Sequence, residues 1–159
     1  MSAQNDPGVS AWRAMLLAHS AAIRAIDADL AQRGLIQLSW YDVLLELTAA
    51  TDGRLRMKEL TDRVVLSRTR ISRLVDEMVQ AELVTKTRDE NDRRVVWAAI
   101  TPSGRTALRA AAKVYMSGIH DHFSSNLTKR EQDIVARALM KVHHAHQPPR
   151  TIELPATRR

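Results

Sequence analysis

Residues 66–101 read LSRTRISRLVDEMVQAELVTKTRDENDRRVVWAAIT, and two periodicities meet inside them. In the first half Ile71, Leu74, Val75 and Met78 recur at i, i+3, i+4 and i+7, which predicts a helix with one apolar stripe. Away from that stripe stand Thr69 and Arg73, flanked by Arg70 and Ser72, with Ser67 and Arg68 at the start. In the second half, residues 83–88 and 95–100 are rich in β-branched side chains. The polar run Asp89-Glu90-Asn91-Asp92-Arg93-Arg94 between them predicts the loop of a hairpin. A helix that buries one face and presents Arg, Ser and Thr on the other suits the major groove of duplex DNA. There a guanidinium can fork onto guanine O6 and N7, and short hydroxyls reach bases or phosphates.

A recognition helix followed directly by two strands forms a wing, and this wing carries arginines near its tip. The residues LSRTRISRLVDEMV, then Leu83-Val84 and a basic strand, then Asp92-Arg93-Arg94, then Ile100-Thr101-Pro102-Ser103-Gly104, resemble the winged helix-turn-helix of the MarR (multiple antibiotic resistance regulator) family. The resemblance spans roughly residues 10–146. It implies a mainly α fold with a small β wing, in which N- and C-terminal dimerisation helices flank the DNA-binding unit. It further implies a homodimeric transcriptional regulator, acting as a repressor on a pseudo-palindromic operator in double-stranded DNA. In that picture Asp92 holds Arg94 for contact with the minor groove or backbone. A small aromatic or anionic effector binds between the dimerisation helices and the winged unit. Two positions depart from the family pattern. Glu82 stands where Gly is frequent at the end of the recognition helix, so the chain there needs another termination geometry or carries strain. Glu90 stands where Pro is frequent, which puts an acidic group into the wing.

At 159 residues with 45% hydrophobic content the chain can build a proper core, and its scarcity of aromatics (4%) favours helices over a sandwich. The net charge of +6 points weakly to a polyanionic partner. Residues 54–94 hold 11 basic and 8 acidic side chains, so the placement of arginines matters more there than their sum. The sequence has no cysteine, which excludes thiol-based sensing, a disulfide scaffold and a thiolate zinc site, and fits a cytoplasmic protein. The first ten residues lack the basic and apolar regions of a secretory signal, and no run of about 18 apolar residues predicts a membrane span.

In chain order, residues 1–9 read as a flexible arm, and Ser10 caps a helix that Gly34 ends. Trp12, Leu16, His19, Ile23, Ile26 and Leu30 form a heptad-like seam on it, more apolar surface than one small unit needs; a dimer interface is the outlet. Ser39 is the expected N-cap of the next helix. Residues 54–56 read as a minimal strand, 57–64 as the first helix of the helix-turn-helix, and Val65-Leu66 as its turn. The winged unit thus covers 35–101. Thr101 caps a long helix with Pro102 in its first turn. Thr128-Lys129-Arg130-Glu131 is a capping box opening the last helix, whose buried side comprises Ile134, Val135, Ala138, Leu139 and Val142. Residues 10–34 and 102–146 form the helical dimerisation region, and the proline-rich 147–159 a tail.

The residues expected to touch DNA are therefore Ser67, Arg68, Thr69, Arg70, Ser72, Arg73, Arg93 and Arg94, with Asp92 orienting the wing. Trp12, His19, Trp40, Tyr41 and Tyr115 are the amphipathic groups expected at the effector junction. His143 and His146, three apart, could share an ion, but nothing completes a ligand set, so neither a metal nor a cofactor is expected. No nucleophile elbow, glycine-rich phosphate loop or metalloprotease motif supports an enzyme. The rival functions are a ligand-independent DNA-binding protein, a His-based metal-responsive regulator and a module whose arginine face binds an acidic protein.

Overall fold

The computed structural model describes residues 6–64 and 68–146, with Arg68 as backbone alone. Among these residues the order is α1 (Pro7–Gln32), α2 (Leu38–Ala49), a 3-10 turn (Thr51–Gly53), β1 (Arg54–Arg56), α3 (Met57–Arg63), α4 (Arg68–Gln80), β2 (Val84–Arg88), β3 (Val96–Ile100), α5 (Pro102–His122), a second 3-10 turn (Ser124–Asn126) and α6 (Lys129–Ala145). Ser67, the Val65-Leu66 turn and the tail from residue 147 lie outside the described residues. One compact unit ends at Phe123 and a second begins at Ser124.

The first helix starts earlier than Ser10. Asp6 caps it, its Oδ1 accepting from the amides of Gly8 at 2.6 Å and Val9 at 3.2 Å, and Pro7 occupies the first turn. An Asp-Pro start is a stronger signal than a serine three residues later, because proline fixes φ and lacks the N–H that would go unpaired there. Residues 7–9 are helix rather than arm. Gly34 ends the helix in the left-handed region (φ 64°), with Leu35 N donating to Leu30 O at 3.0 Å. α2 likewise starts before Ser39. Its N-cap is Gln37, and the carboxylate of Asp27 on α1 accepts from Leu38 N at 2.9 Å, so the cap is supplied from eleven residues away.

The core of the first unit lies where α1, α2 and α5 meet the winged elements. Ile26, Leu30, Leu38, Val43, Leu44, Leu47, Leu108, Ala111 and Val114 are all buried in it. A Cβ at Gly118 of α5 would stand 2.9 Å from Ile26 Cγ1, so the missing side chain allows the close approach of α1 and α5. The α4 stripe behaves as its spacing predicts. Ile71, Val75 and Met78 are fully buried and Leu74 is 8% exposed, each contributing about 1.5–3 kcal/mol relative to exposure. The sheet is antiparallel in the order β1-β3-β2, with Leu55 opposite Ala98 and Thr87 opposite Trp97. β1 is therefore the expected minimal strand, paired with the second strand of the wing.

The end of α4 shows what Glu82 does. It takes the left-handed conformation (φ 58°) that glycine would supply, with Leu83 N donating to Met78 O and Glu82 N to Val79 O, both at 3.0 Å. The strained carbonyl is held by the Thr101 hydroxyl, which donates to Glu82 O at 2.7 Å and Leu83 O at 3.0 Å and accepts from Gly104 N at 2.9 Å. Gly104 itself has no room for a side chain, since a Cβ there would collide with Leu83 O. Glu82→Gly should raise stability by about 0.5–1 kcal/mol, as relief of the left-handed cost outweighs glycine's extra unfolded-state entropy. A thermal melt checks it; an unchanged or lower Tm would show that the Glu82 side chain stabilises the fold by more than the strain.

In the second unit the Thr128 capping box forms as read. Glu131 Oε2 accepts from Thr128 N at 2.8 Å, and Thr128 caps the Glu131 amide in return. The bonds from Thr128, its hydroxyl first, lower the carboxyl pKa of Glu131. The expected buried side of α6 differs. No residue of this helix is buried, and Ile134, Leu139, Met140 and Val142 are exposed. Its apolar stripe is formed but not covered among the described residues.

Candidate nucleic-acid interface

Because the apolar stripe turns one side of α4 into the core, the other side carries Thr69, Arg70 and Arg73, all exposed, with Ser72 partly covered. Among the described residues no ion pair engages the Arg70 or Arg73 guanidinium. The helix is tied to the wing by Lys86 Nζ of β2, which donates to Asp76 Oδ1 at 2.7 Å. Beside it a concavity opens between α3, α4 and the sheet, lined by Met57, Lys58, Thr61, Ser72, Lys86 and Val96. Lys58 and Lys86 thus extend the basic surface beyond the arginines that the sequence singled out. Lysines on separate elements carry no motif, so only the packing of α3, α4 and the sheet reveals them.

The wing places Arg93 and Arg94 in solvent, the Arg94 side chain 95% exposed. Asp92 Oδ1 accepts from Arg94 N at 3.0 Å and from Arg94 Nε at 3.4 Å, so one carboxylate fixes both the backbone and the side chain of the arginine. A second carboxylate in the loop had no sequence signal. Asp89 Oδ1 accepts from the amides of Asn91 at 3.0 Å and Asp92 at 3.1 Å, while its Oδ2 accepts from the Trp97 indole Nε1 at 3.0 Å. The indole bond, followed by the two amides, holds the Asp89 carboxyl below the usual carboxylate range. On the outer face of the sheet the guanidinium carbons of Arg54 and Arg56 lie 4.9 and 5.2 Å from the centre of the Trp97 ring.

The five junction residues divide. Tyr41 and Tyr115 meet, ring centres 4.5 Å apart and tilted 37°. Burial, with the Asp42 carboxylate adding to it, raises both phenol pKa values, and burial with Glu46 raises that of Asp42. Trp40 sits one residue before Tyr41, its indole Nε1 shielded and without an acceptor among the described residues. Trp12, 59% exposed, and His19 stand in the open on the first half of α1. Elsewhere, His122 Nε2 pairs with Asp29 Oδ2 at 2.7 Å and His120 Nδ1 with Asp121 Oδ1 at 2.9 Å. Among the described residues no group of three His, Cys, Asp or Glu side chains could hold a metal ion, and no helix is long and apolar enough to cross a membrane.

Comparison with known proteins matches this geometry. The model of the MarR family fits residues 36–95, the segment from α2 to the wing. YsmB of Bacillus subtilis, an HTH-type transcriptional regulator, is 30% identical over 92 residues, which are 58% of this chain and 62% of YsmB. The crystal structure of AbsC, a MarR family transcriptional regulator from Streptomyces coelicolor, superposes with a TM-score of 0.78 at 26% identity, covering 89% of this chain and 95% of AbsC. That of Sco3205, a MarR family regulator from the same organism in complex with DNA, gives 0.80 at 23% identity over 94% of this chain and 91% of its own. With its one-side-buried helix, its hairpin wing and these likenesses together, the chain is similar over most of its length to transcriptional regulators of the MarR family, whose model matches residues 36–95.

Proposed function

We propose that this regulator binds a pseudo-palindromic operator as a homodimer in the cytoplasm and represses transcription by occupying it. The observation that carries this reading is α4 itself, a helix buried on one side and presenting free Arg70 and Arg73 on the other, beside an arginine-tipped wing. Thr69 and Ser72 supply hydroxyls on the same helix, and Ser67 and Arg68, next to them in sequence, are proposed as further contacts. The bonds from Asp92 to Arg94 suit an arginine presented in one orientation to a narrow minor groove, where the negative potential is enhanced, with Arg93 beside it. Sco3205 was crystallised with DNA, which agrees with this use of the fold. Dimerisation is supported by the exposed apolar stripes, Val9, Trp12, Leu16 and Leu17 on α1 and Ile134, Leu139, Met140 and Val142 on α6. A footprint tests the operator: protection with two-fold symmetry and half-sites about 10 base pairs apart supports the reading, and an asymmetric footprint sinks it.

Effector control is assigned to the junction of α1, α2 and α5, where Trp40, Tyr41 and Tyr115 offer apolar and hydrogen-bonding surface, with Trp12 and His19 on α1. A small aromatic or anionic molecule seated there changes the spacing of the two recognition helices. Binding should also fall steeply with salt, with a log–log slope of about −0.9 per phosphate neutralised. A flat response in a salt titration contradicts phosphate contact by these arginines.

A further inference from the structure

We propose that Trp97 and Asp89 form a latch that positions the wing arginine, so that Trp97, which touches no DNA itself, controls how Arg94 meets the duplex. This deepens the DNA-binding reading above and rests on Arg94 being a DNA contact.

Three links make the chain of contacts continuous. The first is the platform. Arg54 and Arg56 of β1 bracket the Trp97 ring on the outer face of the sheet, and strand pairing places Trp97 between Arg56 and Thr87. An indole so held has little rotational freedom, and its N–H points to a fixed place.

The second link is Asp89. It is the last point where the hairpin is regular, its amide donating to Val95 O at 3.0 Å, and its Oδ2 takes the indole N–H at 3.0 Å. The third is the loop. The other Asp89 oxygen gathers the amides of Asn91 and Asp92, and Asp92 in turn grips Arg94 through backbone and side chain. An exposed six-residue loop would otherwise sample many conformations, and ordering it on binding would weaken affinity. Asp92 alone cannot prevent this, because a carboxylate within the loop orients Arg94 relative to the loop only. Trp97 orients the loop relative to the sheet.

The test uses the full-length protein and a duplex enriched from random-sequence DNA by the wild type. Trp97→Phe keeps an aromatic ring beside the two arginines and removes the N–H along with the five-membered ring; Asp89→Ala removes the acceptor at a partly exposed site, together with its bonds to the Asn91 and Asp92 amides. Each should weaken binding by about threefold to tenfold, the value of one charge-assisted hydrogen bond that orders the loop. The double variant should lose no more than Asp89→Ala alone, because the indole bond is already gone once its acceptor is removed. In an Arg94→Ala background neither change should have any further effect, a result that a general loss of stability would not give. The amide resonances of Asn91 and Asp92 should shift in Trp97→Phe while those of α4 stay in place.

Equal losses with and without Arg94, or no loss from either variant, overturn the latch while leaving Arg94 as a contact. A silent Arg94→Ala on that duplex removes the wing reading and the latch with it.

Discussion

Glutamate at Leu139 is expected to convert a dimer into a folded monomer that binds operator about 100- to 10,000-fold more weakly. Leu139 is 41% exposed in the single chain, so the replacement forfeits little of its own packing. In a dimer that covers the α6 stripe the same carboxylate would be buried without a partner, which costs several kcal/mol. The loss of affinity follows from valency. Two half-sites joined through one dimer benefit from a high effective concentration, and separate monomers do not. Trp12→Glu makes the same test on α1. Sedimentation of wild type and variants at micromolar concentration, with circular dichroism as the check on folding, decides the matter. A wild type that sediments as a monomer, or a Leu139→Glu protein that remains a dimer, removes α6 from the interface.

Arg73→Ala should cost operator binding about 1–3 kcal/mol and leave binding to scrambled duplex much less affected. The side chain is exposed on the face of α4 opposite Leu74 and Val75, and no ion pair among the described residues diverts it. Arg94→Ala, by contrast, should weaken both duplexes more evenly and flatten the salt slope, since an arginine that reads groove shape and charge senses little sequence. Paired titrations on the two duplexes separate the roles. Equal losses on both for Arg73→Ala would place that residue on the backbone and end its major-groove assignment.

What could be read from the chain and what could not follows from the range of each interaction. The α4 stripe, the hairpin, the Thr101 cap and the Thr128 capping box are local patterns whose partners lie within a few residues, and the structure contains each of them. Both helix starts placed on serines, at Ser10 and Ser39, were late for different reasons. Asp6-Pro7 was a competing local signal, whereas the Asp27 carboxylate that caps α2 arrives from another helix. The left-handed Glu82 resisted reading because tertiary contacts, above all the Thr101 hydroxyl, hold a conformation its own side chain disfavours. Tyr41 and Tyr115 were both singled out, yet their ring contact depends on how α2 and α5 pack. Trp97 looked like one more strand residue until register brought it to Asp89. The apolar side of α6 was correctly located but not its environment, since periodicity says which side is apolar and nothing about what covers it.

The contact between Gly104 and Leu83 has a mechanical meaning. With backbone pressed on backbone and a single hydroxyl clamped across the joint, Gly104 brings no side chain of its own between the end of α4 and the start of α5. α5 runs for about 30 Å from this joint, which lies where α4 stops. A tilt of about 5° at that joint carries its far end through roughly 2.6 Å over this length. By the same geometry, a displacement of that size near His122 corresponds to a rotation of about 5° at the base of the wing.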